Sequence, residues 1–200
     1  SGASKIMTKN PDLAAMVEDE RLKKIEPGDR VSTQIFMGLK DMGSDIHSAM
    51  GVNIFRQMVG RKKWWFIPPS QTPYLKPSIN VNGFSAHTHT MVGKSGEEES
   101  PWMSKIERYT AVLEPGDVLI NPPWFWHGIV NQGESKDSLV VGVPTRYGGS
   151  KCTTAAFKSN PFLSAFAAAV IYIKYGGPEN FKNQADVLED KINANRKARM

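Results

Sequence analysis

Apolar and polar positions change rhythm twice along this 200-residue chain. Residues 11–25 place Leu13, Met16, Val17 and Leu22 at helical spacing and predict a short amphipathic helix. From Val31 to Val143 the apolar runs shorten and are cut by Gly, Pro and Asn. This predicts strands over 32–38, 52–59, 62–67, 108–113, 117–121, 126–131 and 138–143. Gly60-Arg61 reads as a hairpin turn between two of them. Glu-Pro-Gly-Asp occurs at 26–29 and again at 114–117, each time before an apolar run. Pro-Gly turns the chain and Asp caps the turn, so both copies are read as strand starts. Residues 70–105 are rich in Ser, Thr, Asn and Gly, hold the run Glu97-Glu98-Glu99, and read as a long loop, functional or mobile.

The third rhythm is helical. Asn160 suits an N-cap, Pro161 the first helical position and Gly176-Gly177 a C-terminal stop. Phe162, Phe166, Val170 and Ile173 form its apolar stripe, and a second amphipathic stretch from Glu179 to about Arg196 carries Phe181, Leu188 and Ile192. The expected division is therefore a helical or extended segment over 1–30, a β domain over 31–148 and a helical segment over 149–200. The last segment either covers an edge of the β domain or makes a homodimer contact.

Composition narrows the function classes. With 40% hydrophobic and 22% charged residues the chain is globular, which excludes disordered, collagen-like and coiled-coil readings. One cysteine, Cys152, excludes an internal disulfide and a cysteine-based zinc cluster, and an intracellular, reducing compartment is expected. The net charge is +5, but the basic residues are scattered, and Arg196-Lys197-Ala198-Arg199 reads as a solvated tail, so a nucleic-acid partner is not expected. The longest uncharged apolar stretch, between Lys158 and Lys174, has 15 residues, short of the ~20 that span a bilayer. Ser1 to Asp12 has no apolar core of a signal peptide; the chain opens on Ser1-Gly2 without an initiator Met, as a trimmed chain would.

The candidate chemistry lies with four histidines: His47, His87, His89 and His127. His127 ends the run Leu113-Glu114-Pro115-Gly116-Asp117-Val118-Leu119-Ile120-Asn121-Pro122-Pro123-Trp124-Phe125-Trp126. There a turn launches a strand, a double proline stops it, and aromatics lead into the histidine. His47 follows Gln34-Ile35-Phe36-Met37-Gly38 by nine residues. Asn53, Gln57, Gly60, Lys62, Trp65, Phe66, Pro68 and Pro69 come after it. Alternation on 62–67 puts Lys62, Trp64 and Phe66 on one face and Lys63, Trp65 and Ile67 on the other.

In combination these motifs resemble the JmjC and JmjC-like branch of the cupin superfamily, the iron(II)- and 2-oxoglutarate-dependent oxygenases. The likeness covers about residues 31–148. It implies a mainly β fold, a double-stranded β-helix (jelly-roll) barrel with flanking helices. It implies a hydroxylase-like dioxygenase in which His47 and His127 hold Fe(II) or another divalent metal. Lys62, 15 residues past His47, would pair with the far carboxylate of 2-oxoglutarate, Ser44 would add a hydroxyl to the same carboxylate, and Asn53 would line the pocket. The substrate, protein or small molecule, is not named by any motif.

The likeness breaks at one place. The family has His-x-Asp or His-x-Glu, and this chain has His47-Ser48-Ala49. A methyl group cannot complete the two-imidazole, one-carboxylate set that holds non-haem iron. Asp45, His87 and His89 are the candidates for a third ligand. Three readings stay open: an oxygenase with a weakened metal site, a halogenase-like site in which chloride takes the vacant position, and a catalytically degenerate cupin that binds a ligand or partner.

Overall fold

The computed structural model describes residues 20–80, 83–88 and 103–176. In chain order the elements are helix α1 (Glu20–Lys23), strands β1 (Asp29–Thr33), β2 (Phe36–Leu39), β3 (Gly43–Ala49), β4 (Val52–Val59) and β5 (Arg61–Ile67), then a 3-10 stretch at Pro69–Leu75. There follow β6 (Pro77–Ile79), β7 (Ser85–Thr88), a 3-10 turn at Met103–Lys105, β8 (Tyr109–Leu113), β9 (Val118–Asn121), β10 (Trp126–Gln132) and β11 (Leu139–Gly148). Helices α2 (Gly149–Ser159) and α3 (Pro161–Tyr175) close the described chain. No helix among the described residues is long and apolar enough to cross a membrane.

Two antiparallel sheets form the barrel. One runs β1-β11-β4-β9, with β2 also paired to β11; the other runs β6-β7-β3-β10-β5-β8. Three apolar clusters hold them. Phe55, Trp64 and Leu113 lie between the sheets with Phe66, Leu119 and Ile129 against them. Ile46, Ile67, Ala86, Trp124 and Trp126 lie on the outer face of the six-stranded sheet, under Ala156, Leu163 and Ala167 of the helices. Val52, Ile54, Tyr147 and Cys152 fill the outer side of the other sheet, with Leu22 of α1 against them. The jelly-roll fold expected from the sequence is therefore present.

Several local expectations change. Residues 32–38 make two strands, because the chain bends at 34–35. β2 pairs with Leu139–Gly142 of β11 and β1 with Thr145–Gly148, so Pro144 sits at the gap between them, where its missing N–H costs no ladder bond. The strand read as 138–143 thus continues through the proline to Gly148. Gly60-Arg61 is not a hairpin: β4 and β5 belong to different sheets, and Gly60 (φ +66°) turns a corner between them. The Gln57 amide donates to the carbonyls of Val59 (2.8 Å) and Gly60 (2.9 Å) and fastens that corner.

Within the expected loop 70–105 the structure places β6, β7 and the two 3-10 segments; strands of three or four residues are too short to show alternation. Both Glu-Pro-Gly-Asp segments precede strands, and at the second one Asp117 caps its own turn, accepting from the Glu114 N–H at 2.8 Å. Asn160 caps α3 as expected, accepting from the Leu163 N–H at 3.0 Å, and Gly176 ends it at φ +73°. The helical stripe is inverted, however. Leu163, Ser164 and Ala167 face the barrel, while Phe162, Phe166 and Ile173 are exposed. The expected helix over 11–25 is described only from residue 20, and the stretch 179–196, Glu97-Glu98-Glu99 and His89 lie outside the described residues.

Candidate functional site

His47 and His127, 80 residues apart in sequence, are register partners on β3 and β10 with ring centroids 4.3 Å apart. The approach to His127 is built by strain and hydrogen bonds. After Pro122-Pro123, Trp124 takes a left-handed conformation (φ +61°) that steers the chain from one sheet to the other. A bulky residue there costs roughly 1–3 kcal/mol and persists only where its surroundings over-determine it. Trp124 is fully buried; its indole N–H donates to Ser164 Oγ at 2.8 Å and its backbone N–H to the Ala49 carbonyl at 2.8 Å. Trp126 donates to Thr72 Oγ1 at 2.9 Å, and Asn160 Nδ2 donates to the same oxygen at 3.0 Å. The outward tryptophans thus lock β10 to α3 and the 3-10 stretch, and His127, the residue after Trp126, turns inward.

Both imidazoles have Nδ1 against a backbone carbonyl: His47 on Asp45 O at 2.8 Å and His127 on Phe125 O at 3.0 Å. A carbonyl only accepts, so each neutral ring carries its proton on Nδ1 and its lone pair on Nε2; at His127 this requires the Asn121 amide, 3.1 Å from the same Nδ1, to turn its otherwise unpaired oxygen rather than its NH2 to the ring. Burial pushes both rings below the ordinary histidine range, His127 to about 3, with His47 and then Arg146 adding to the effect on His127. Both are therefore neutral at physiological pH.

The two rings line a pocket of about 310 Å³, at the small end of the roughly 300–1,000 Å³ typical of ligand sites. Lys62 lies inside it, 3% exposed, its ammonium over the Phe55 ring at 5.1 Å from the centroid. Burial lowers its pKa to about 8. Lys63 faces the other way, over Trp65. Ser44 and Asn53 line the same pocket. Trp64, which alternation puts on the Lys62 face, lines it too, and among the polar lining residues sequence reasoning missed Asn131 and Arg146. Arg146 was hidden because the strand was ended before Pro144; continuing the alternation Val140, Gly142, Pro144 by one more step would have found it. Four polar atoms of this lining, Ser44 Oγ, Asn53 Oδ1, Trp64 Nε1 and Asn131 Oδ1, are buried without a hydrogen-bond partner among the described residues. Of these, Ser44 Oγ and Trp64 Nε1 can donate and the two amide oxygens only accept, so the lining offers both kinds of polar partner to a ligand.

Iron in the facial-triad manner does not fit this donor set. Ala49 ends β3 where the carboxylate is needed, and no Asp or Glu lines the pocket. Asp45 is exposed, and the hydrogen bond it makes to His47 is through its carbonyl oxygen. His87 is the cross-strand neighbour of His47, but it is exposed, with its ring stacked 6.0 Å from that of His47. Among the described residues no three His, Cys, Asp or Glu side chains are placed to hold a metal ion. Two cations share the pocket instead. A dicarboxylate does fit, because Lys62 and Arg146 offer the charge, and Ser44 Oγ and Trp64 Nε1 are unpaired donors that such a ligand can accept from.

Comparison with known proteins agrees with the fold. A zebrafish (Danio rerio) HSPB1-associated protein 1 homolog is 30% identical over 120 residues, 58% of this chain and 26% of that protein. The human HSPB1-associated protein 1 is 33% identical over 94 residues, 46% of this chain and 18% of that protein. Jumonji C domain-containing protein 5 of Drosophila melanogaster is 27% identical over 106 residues, 52% of this chain and 26% of that protein. The chain thus spans about a quarter or less of the length of these relatives. The family model described as a cupin-like domain matches residues 3–145, and with the two-sheet barrel and its JmjC-named relatives this chain belongs to the cupin-like domain family of the JmjC/cupin superfamily.

Proposed function

We propose that this domain is a JmjC-type cupin that has become a binding module for a 2-oxoglutarate-class dicarboxylate, held without a completed iron centre. The observation that carries the reading is the pocket itself: cationic, ringed by orphaned polar atoms, and without a carboxylate. A buried lysine with only an aromatic face beneath it is costly to keep, and an anionic ligand offsets that cost through a charge-assisted hydrogen bond. Lys62 anchors the far carboxylate, with Ser44 beside it: Ser44 sits opposite Ile129 on β10 and Lys62 opposite Asn131, two residues further along.

The test is calorimetry on protein stripped of metal, with chelator present throughout. 2-Oxoglutarate should bind, and Lys62→Ala should weaken it by about 1.5–3 kcal/mol, the worth of a charged hydrogen bond, without unfolding the domain. Binding that appears only after Fe(II) is added would overturn this reading in favour of an oxygenase. The two neutral imidazoles, each with its Nδ1 proton tied to a carbonyl, are what that second reading rests on. Metal uptake strengthened by chloride would then mark the halogenase-like form.

A further inference from the structure

We propose that Arg146 is a second anion anchor and that the pocket is a two-ended clamp, selective for dicarboxylates long enough to touch both Lys62 and Arg146. This rests on the dicarboxylate reading above and specifies what holds the ligand at its histidine end.

Register places the two cations at different levels of the barrel. Arg146 on β11 is opposite Asn53 on β4, and Asn53 is opposite Asn121 on β9. The Asn121 amide lies 3.1 Å from His127 Nδ1, so this row is the level of the histidines. Lys62 is opposite Asn131, four residues beyond His127 on β10. At ~3.3 Å per residue, its backbone stands roughly 13 Å from the histidine row. The cations also come from opposite walls, Lys62 from the six-stranded sheet and Arg146 from the five-stranded one. Lys62 is buried at the floor, and Arg146 is exposed, at the mouth. No hydrogen bond or ion pair of Arg146 is found among the described residues, and its charge depresses both histidines.

The histidines themselves cannot hold a carboxylate. With their protons committed to Asp45 O and Phe125 O, they present lone pairs, and an anion at this level needs a donor from elsewhere. The guanidinium supplies one in the planar, two-pronged geometry that suits a carboxylate. Charge balance points the same way. In the facial-triad arrangement, iron and its carboxylate ligand leave one net positive charge beside the histidines. Here the carboxylate is gone with Ala49, and one arginine stands at that level instead. A dianion is then neutralised by Lys62 and Arg146 alone, with no metal required. Iron chelation makes a keto group next to the carboxylate necessary; a clamp of two cations does not.

The experiment titrates glutarate, 2-oxoglutarate and butyrate into chelator-treated protein by calorimetry, for the parent and for Arg146→Gln, Arg146→Lys and Lys62→Met. In the parent, glutarate should bind within a few-fold of 2-oxoglutarate, and butyrate at least tenfold more weakly. In Arg146→Gln, glutarate should lose at least tenfold and its advantage over butyrate should collapse, with Arg146→Lys recovering part of it. A thermal unfolding transition matching the parent's confirms that Arg146→Gln is folded. Glutarate binding unchanged in folded Arg146→Gln, with binding still lost in Lys62→Met, would overturn the clamp and leave the Lys62 site standing. Glutarate failing where 2-oxoglutarate binds would also overturn it, because recognition would then depend on the keto group. No binding of any of the three to the parent at millimolar concentration would remove the dicarboxylate reading and the clamp with it.

Discussion

Lys62 shows the conflict between binding and stability within one side chain. It is 3% exposed and its pKa is lowered to about 8 by burial, so below that pH the fold carries a desolvated charge. The unfolded chain binds that proton more tightly than the folded one, which makes the destabilisation full below pH 8 and relieved as pH rises towards the ordinary lysine value of 10.5. Lys62→Met should therefore raise unfolding stability by about 0.5–2 kcal/mol at pH 7, and the gain should shrink between pH 8 and 10.5. Denaturant melts of parent and variant across that range check it; a variant less stable than the parent at pH 7 would contradict the cost assigned to the buried charge. The second decisive residue is Ala49, two positions past His47 on β3 and so on the same strand face. Ala49→Asp restores a carboxylate beside two imidazoles whose tautomers already suit a metal. It should raise Fe(II) or Mn(II) affinity by at least tenfold over the parent in an anaerobic titration. Equal uptake by the parent would mean that another group already completes the site.

Individual elements owe their positions to a small set of buried polar contacts. Asn160 is both the N-cap of α3 and a donor to Thr72 Oγ1, the oxygen that also holds the Trp126 indole. Asn160→Ala should cost about 1–2 kcal/mol, at the upper end for a lost cap, because the Thr72 link goes with it. Thermal unfolding measures the cost, and a loss below about 0.5 kcal/mol would show that the tryptophans alone hold α3. The inverted stripe of α3 has the same origin. Trp124 and Trp126 already fill the space on the outer face of the sheet, so the helix approaches on Leu163, Ser164 and Ala167, and Phe162 and Phe166 face outward. Residue type along α3 showed a helix with a correct start and stop, but not which stripe is buried, because the indoles that decide it lie some 40 residues earlier. Gly60 teaches a similar lesson: a turn-forming residue between two strands specifies a turn, and only the sheet order shows that it is a corner.

At the scale of the molecule, the pocket exists because two sheets face each other with one wall from each. Its lining carries two cations and no carboxylate, so the ligand-free fold holds charge that a dianion relieves. A ligand bound only by the folded state stabilises it by mass action, about 2.7 kcal/mol at a hundredfold excess over Kd. 2-Oxoglutarate at that excess should raise the melting temperature by roughly 5–10 °C with chelator present, and the shift should diminish above pH 8 as free Lys62 loses its proton. A scan without any shift at ligand concentrations up to tens of millimolar would count against the pocket's occupant.

The sequence by itself showed the division into strands and a trailing helix, because strand alternation and turn placement are local properties of the chain. The barrel, and His47, His127, Lys62, Ser44 and Asn53 as candidate site residues, came from the likeness of its motifs to the JmjC and JmjC-like family. The sequence also determined the missing carboxylate, since Ala49 is read directly. Only the tertiary structure decided that Arg146 lines the same pocket, that the lining holds no acid, and that four polar atoms are left unpaired around it. The physical reason is that β11 brings Arg146 to the histidines across the barrel, 99 positions after His47 in the chain. Charge balance in a pocket is a sum over residues distant in sequence, and no local pattern contains it.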